Sequence, residues 1–103
     1  MVRLADLGAH SILVTDGPRN AVLLWEDQFF AVTPPRLQAV NPIGSGDALA
    51  AGVSASMLRG RNLLDAVAFG TACAAANALT PLAGQIRRPD VENMLHRVRI
   101  SRM

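Results

Sequence analysis

An aspartate sits where a glycine-rich turn runs into a series of small residues, "NPIGSGDALAAG", residues 41–52. Gly44, Ser45, Gly46 and Asp47 are the residues whose types and spacing could do chemistry together. Amides at a helix start have no intrahelical acceptor, and the helix dipole places partial positive charge there. Glycines let such amides converge on an anion without a Cβ in the way. A phosphate group suits that cradle. Asp47 would repel the same anion, so a plain phosphate clamp would omit it. Beside the cradle, an ionised carboxylate can instead take the proton of a hydroxyl attacking the phosphorus. The bland alternative is a helix cap, since Asp and Gly are both common at helix starts. The tetrapeptide alone leaves both readings open. Other phosphate motifs are absent: there is no Gly-x-x-x-x-Gly-Lys-Ser/Thr, and a dinucleotide fingerprint would need glycine where Leu49 stands.

The elements around this loop read as α/β. "SILVTD" is a short buried strand, "DGPRN" a turn, and "AVLLWE" and "QFFAVT" the two arms of a hairpin turning at Glu26-Asp27. Ahead of them, "VRLADLGAH" reads as the end of a helix stopping at Gly8. Pro34 and Pro35 end the hairpin, and "RLQAV" is a further extended piece before the loop. From Asp47 the spacing turns helical, with apolar rows at Leu49, Val53, Met57 and at Ala51, Ala55, Leu58, closed by Gly60. Asn62 starts a second helix, with Asp65 in a capping-box-like position. That helix is apolar on most sides, and Gly70 among the alanines lets another backbone or a flat ligand approach. Pro81 ends it, and Pro89 opens a last amphipathic helix, "DVENMLHRVR", with Val91, Met94, Leu95 and Val98 inward. A strand feeding a glycine loop and a helix is an α/β pattern. The sheet it predicts is thin, with poor cover on one face.

Composition narrows the function classes. The chain has 103 residues, enough for one domain or a piece of one, and half are hydrophobic, which excludes disorder. The net charge is +2 and aromatics make up 4% with no Tyr, so the basic stripe and stacking rings of a nucleic-acid protein are missing. Cys73 is the single cysteine, set among alanines as a small core residue, and fits a reducing compartment such as the cytoplasm. His10, His96 and Cys73 have no metal-ligand spacing. "MVRLADLGAH" has no apolar run of the secretory kind, and no stretch approaches the roughly 18 uninterrupted apolar residues of a membrane span.

The longer stretch "NPIGSGDALAAGV" resembles the C-terminal signature of the PfkB, or ribokinase-like, carbohydrate kinases. Asn41, Pro42, Ile43, Gly44, Ser45, Gly46, Asp47, Ala51, Gly52 and Val53 each fit a place of that pattern. Its Asn-Pro opening and Ser45 look most like the branch of 1-phosphofructokinase, tagatose-6-phosphate kinase and the minor 6-phosphofructokinase. "ILVTDGPRNAVLL" is similar to the family's strand and turn at the ATP phosphates, with Asn20 where a second glycine is usual. "AVAFGTACAAANAL" resembles the helix beside the adenine.

The resemblance implies a ribokinase-like fold of which residues 1–103 form only a C-terminal portion, carrying the ATP site and the catalytic base. It implies ATP-dependent phosphoryl transfer to a hydroxyl of a sugar or sugar phosphate. Asp47 would be the base, and Gly44, Ser45 and Gly46 the anion hole with the Asp47 amide. Thr15, Gly17, Ala74 and Asn77 would line the ATP site, with Asn77 near the purine edge. Mg²⁺ would arrive with ATP, and K⁺, where bound, would lie against carbonyls of Asn41, Ile43 and Gly84. The family's sugar-binding acid, lid strands and Asn-x-x-x-Glu metal motif have no counterpart in the sequence. The chain alone is therefore expected to be inactive, its partner a missing N-terminal portion or a second copy. The alternative is a remnant that binds nucleotide or a partner subunit without turnover.

Overall fold

Three short strands open the described part of the chain, and each alternates in burial. The computed structural model describes residues 11–16 and 19–103. Gly17 and the helical reading of residues 2–10 lie outside the described residues. The strands are β1 (Ile12–Val14), β2 (Ala21–Trp25) and β3 (Gln28–Thr33), paired antiparallel in that order. Glu26 and Asp27 join β2 to β3 with φ of 49° and 60°, the two positive values that a two-residue mirror-image hairpin turn requires. Period-two alternation puts Leu13, Leu23 and Phe30 side by side on one face, with Ala21 opposite Val32. Those five side chains are buried. Trp25 is half-buried beside Phe30, with ring centroids 6.2 Å apart. The other face carries Ile12, Val14, Val22 and Phe29, all exposed.

Residues 34–44 cross to the helices without regular structure, so the extended piece expected at Arg36–Val40 does not form. Its place is set by packing instead: Pro35 is buried, Leu37 lies against the core, and the Arg97 guanidinium donates to the Arg36 carbonyl. α1 (Ser45–Leu58) then begins two residues earlier than the periodicity predicts. It buries Ala48, Leu49, Gly52, Val53 and Ser56, while Ala51, Ala55 and Leu58 face solvent. Gly60 at φ 82° closes it, with Gly60 N–H donating to Met57 C=O and Arg61 N–H to Ser56 C=O, the Schellman pattern.

α2 (Leu63–Ala78) starts at Asn62, whose side-chain oxygen accepts the Asp65 amide at 2.8 Å, a cap worth about 1 kcal/mol. It is the central element, packed against α1 and against α3 (Arg88–Leu95). The open question at Gly70 resolves toward backbone. A Cβ there would stand 2.5 Å from Val53 Cγ2 and 2.7 Å from the Leu49 carbonyl oxygen. A Cβ on Gly52 would stand 2.9 Å from Gly70 Cα and 3.0 Å from Cys73 Sγ. Burial at this crossing pushes the Cys73 thiol pKa above its ordinary value.

The last helix is shorter than expected. α3 stops at Leu95, and β4 (Arg99–Arg102) pairs antiparallel with β3, setting Ile100 opposite Val32. The unpaired edge of β3 offers a ladder of donors and acceptors that outweighs one more helical turn. Arg99 assists by donating its guanidinium to the His96 carbonyl at 2.7 Å and to Val98 at 3.1 Å. Val91, Met94 and Val98 are buried as predicted, and Leu95 is half-buried. The α/β class holds: three strands, three helices and a fourth strand that returns to the antiparallel sheet share one core.

Candidate functional site

Gly44 turns the chain into α1 with φ 83°, a left-handed value that glycine adopts without penalty. Ser45, Gly46 and Asp47 are thus the first turn of the helix itself, not a loop ahead of it. The Ser45 amide donates to the Pro42 carbonyl at 3.2 Å, and the first helical bond runs from Ala48 N–H to Gly44 C=O at 2.9 Å. Among the described residues, the amides of Gly46 and Asp47 have no protein acceptor. They are the donors free to hold an anion at this helix start. A Cβ on Gly46 would meet nothing within 4 Å, so the space at its Cα is open.

A cleft of about 780 Å³ opens beside this turn. Thr15, Ser45, Gly46 and Ala74 line it together, from three separate stretches of sequence. Ala21, Val32, Leu37, Leu49, Ala75 and Ala78 give it apolar walls. Arg19 and Arg36 add two cations at the same cleft. Neither was singled out by sequence. Arg19 lies in the "DGPRN" turn and Arg36 follows two prolines, and only the tertiary fold brings them together. Arg19 is exposed and sits 3.8 Å from Asp16, a loose surface pair of little energetic weight.

Asp47 is exposed and stands outside the lining of this cleft, one residue beyond Gly46. Asn77 also stands outside it. It is fully buried, and its amide is engaged inward: Nδ2 donates to the Ile43 carbonyl at 2.9 Å and to Ser45 Oγ at 3.3 Å, and Oδ1 accepts the Gly84 amide at 2.7 Å. Ser45 Oγ donates in turn to the Ala74 carbonyl at 3.4 Å. Asn41 Oδ1 accepts the Ile43 amide at 3.1 Å, and Asn41 Nδ2 donates to the Pro81 carbonyl at 3.0 Å. The turn is therefore tied to the end of α2 and to residues 81–84 by side-chain amides. Among the described residues, no group of three His, Cys, Asp or Glu side chains comes together to hold a metal ion. Among the described residues, no helix is long and apolar enough to cross a membrane.

This arrangement can hold a phosphate on Gly46 and Asp47 amides and an apolar ring against the α2 alanines. The profile of the pfkB family carbohydrate kinases matches residues 3–89. The ATP-dependent 6-phosphofructokinase isozyme 2 of Mycobacterium tuberculosis is 33% identical over 90 residues, covering 86% of this chain and 26% of that enzyme. A crystal structure of a Staphylococcus aureus protein assigned as a phosphofructokinase superposes with a TM-score of 0.81 at 31% identity, over 97% of this chain and 32% of that one. The phosphofructokinase-2 of Escherichia coli in complex with potassium shares the fold, with a TM-score of 0.77 at 20% identity over 90% of this chain and 30% of its own. The chain thus spans about a quarter of the length of the curated relatives it matches.

Proposed function

The chain belongs to the pfkB family of carbohydrate kinases, and on that premise we propose that it supplies the anion hole, the base and part of the ATP site for phosphoryl transfer to a sugar-phosphate hydroxyl. The observation that carries the reading is the Gly44-turned start of α1, whose open Gly46 position faces the same cleft as Thr15 and Ala74. The apolar walls receive the purine. Thr15, Arg19 and the Ser45 hydroxyl flank the phosphates, and the Gly46 and Asp47 amides steady charge on the transferred group. Mg²⁺ bound to the triphosphate would neutralise part of its charge. Asp47, exposed beside the cleft, takes the proton of the acceptor hydroxyl as that oxygen bonds to the γ-phosphorus and ADP leaves. The reaction belongs in the cytoplasm, where ATP is made available and Cys73 stays reduced.

A sugar pocket needs further polypeptide. The exposed Ile12, Val14, Val22 and Phe29 form an apolar sheet face, and relatives of this fold are about three times as long. We assign that face to the remaining portion of the kinase domain, which would hold the sugar phosphate. The 103 residues alone are expected to bind nucleotide without turnover, because phosphoryl transfer without a positioned acceptor loses most of its rate advantage.

Mixing this chain with the N-terminal portion of a family relative tests the proposal. ADP release would be followed with fructose 6-phosphate, fructose 1-phosphate and tagatose 6-phosphate. Restored turnover is expected, with Asp47→Asn lowering it by about 10²- to 10⁴-fold while ATP affinity stays within a few-fold. An unchanged Asp47→Asn rate would remove the base assignment. A second reading, nucleotide binding with no catalysis, is favoured by Asp47 standing outside the cleft lining. ATP binding with no transfer in any mixture would select it.

A further inference from the structure

The family resemblance implies Asn77 near the purine edge, whereas the structure uses its side chain on the Gly44 turn. Asn77 is 0% exposed and stands outside the cleft lining, although Ala74, Ala75 and Ala78 of the same helix line that cleft. Nδ2 gives one hydrogen to the Ile43 carbonyl at 2.9 Å and the other to Ser45 Oγ at 3.3 Å. Those two residues flank Gly44, so one amino group holds the left-handed turn on both sides. Oδ1 accepts the Gly84 amide at 2.7 Å. Polarity fixes this orientation, because Gly84 N–H can only donate and the Ile43 carbonyl can only accept. Both hydrogens of the amide are engaged within the protein, which leaves no donor for a purine nitrogen.

The turn also packs on what Asn77 holds. A Cβ on Gly44 would stand 3.1 Å from Ala83 Cβ and 3.8 Å from Asn77 Nδ2. Ser45 Oγ donates to the carbonyl of Ala74, a residue of the cleft wall, at 3.4 Å. Thr80 Oγ1 bonds the Asn77 carbonyl at 3.1 Å and the Leu82 carbonyl at 3.0 Å, which holds residues 80–84 to the same helix end. The free Gly46 and Asp47 amides belong to the helical turn that Ser45 begins. A shift of residues 43–45 would therefore carry those amides with it, relative to the α2 alanines. A misplacement of about 1 Å is enough to matter for a bound group.

We propose that Asn77 is a positioning residue: it touches no nucleotide, and by clamping the Gly44 turn on both sides it sets the reach from the α2 wall to the Gly46 and Asp47 amides. Its loss weakens the hold on the transferred phosphate and spares the rest of the nucleotide. The nucleotide arm of this proposal rests on the kinase reading of the cleft. The clamp itself stands on the hydrogen bonds alone.

The test compares calorimetric titrations of the purified chain with Mg·ATP and with Mg·ADP, for wild type, Asn77→Ala and Asn77→Asp. The Asp variant keeps the acceptor for Gly84 and loses both donors to the turn. ATP affinity is expected to fall by about tenfold in each variant, with ADP affinity within about twofold. Equal losses for ATP and ADP would place Asn77 at the base and overturn the proposal, as would a folded variant that binds both like wild type. Should neither variant fold, nuclear Overhauser contacts of the wild type with bound ATP decide. Asn77 amide protons close only to protein protons would support the clamp, and contacts to adenine ring protons would overturn it. A wild-type chain that binds neither nucleotide, or binds both alike, would count against the kinase reading. Amide hydrogen exchange then decides the clamp. Faster exchange at Ala48 and Gly84 in Asn77→Asp, with Ala66 unchanged, would support it, and unchanged exchange at both would overturn it.

Discussion

Gly44 and Gly46 open α1, while Gly52 and Gly70 bring α1 and α2 together, and the two pairs are glycine for different reasons. At the crossing the reason is protein: an added Cβ on Gly70 collides with Val53 and with the Leu49 backbone. At the helix start it is partly backbone and partly vacant space. Gly44 needs its positive φ, whereas Gly46 has helical geometry and nothing near an added Cβ. A fold has no use for glycine at such a position, since alanine is the better helix former. At Gly46 the space that a side chain would take is open. Packing therefore accounts for glycine at the crossing and does not account for it at Gly46.

The crossing gives the largest expected effect. Gly70→Ala should destabilise the chain by about 3 kcal/mol, because its nearest obstacles include backbone atoms that cannot swing aside. Denaturant unfolding would measure this. Cys73 Sγ provides a second readout, since the buried, protonated thiol should react slowly with a disulfide reagent in the wild type and faster in the variant. A Gly70→Ala chain of wild-type stability would mean that α1 and α2 do not meet this closely. Gly44→Ala should cost less, about 1–2 kcal/mol, for the left-handed backbone. Its Cβ would also press the Ala83 Cβ at 3.1 Å, so ATP affinity should fall together with stability.

The same contrast shows what the sequence could and could not reveal. Close approach at Gly70 was legible, because a glycine amid alanines leaves so little bulk, although whether backbone or ligand would fill the gap was not. The hairpin at Glu26-Asp27 and the Asn62 cap were legible because their partners lie within a few residues. β4 was hidden because Arg99–Arg102 take their structure from the β3 edge, far away in sequence. The outward row Ala51, Ala55, Leu58 could not be told from the buried one, since both are apolar at helical spacing. At the site, the glycine turn could be read from local rules, but the roles around it could not. Arg19 and Arg36 reach one cleft only in the folded chain, and the Asn77 amide finds Ile43 and Ser45 across more than thirty residues.

Gly46→Ala is the smallest change and separates the two kinds of glycine most sharply. With open space around the new methyl group and a helical backbone, stability should hold or rise by up to about 1 kcal/mol. A phosphate resting on the Gly46 and Asp47 amides would meet that methyl group directly, so ATP affinity should fall by about tenfold, or 1.4 kcal/mol. The signs are opposite, and neither Gly70→Ala nor Gly44→Ala can produce that combination. Thermal unfolding and calorimetric titration on the same preparation would measure both. Unchanged ATP affinity would mean that the phosphate does not rest on this turn, and the cleft beside Ala74 would then have to hold its ligand by the apolar walls and the two arginines instead.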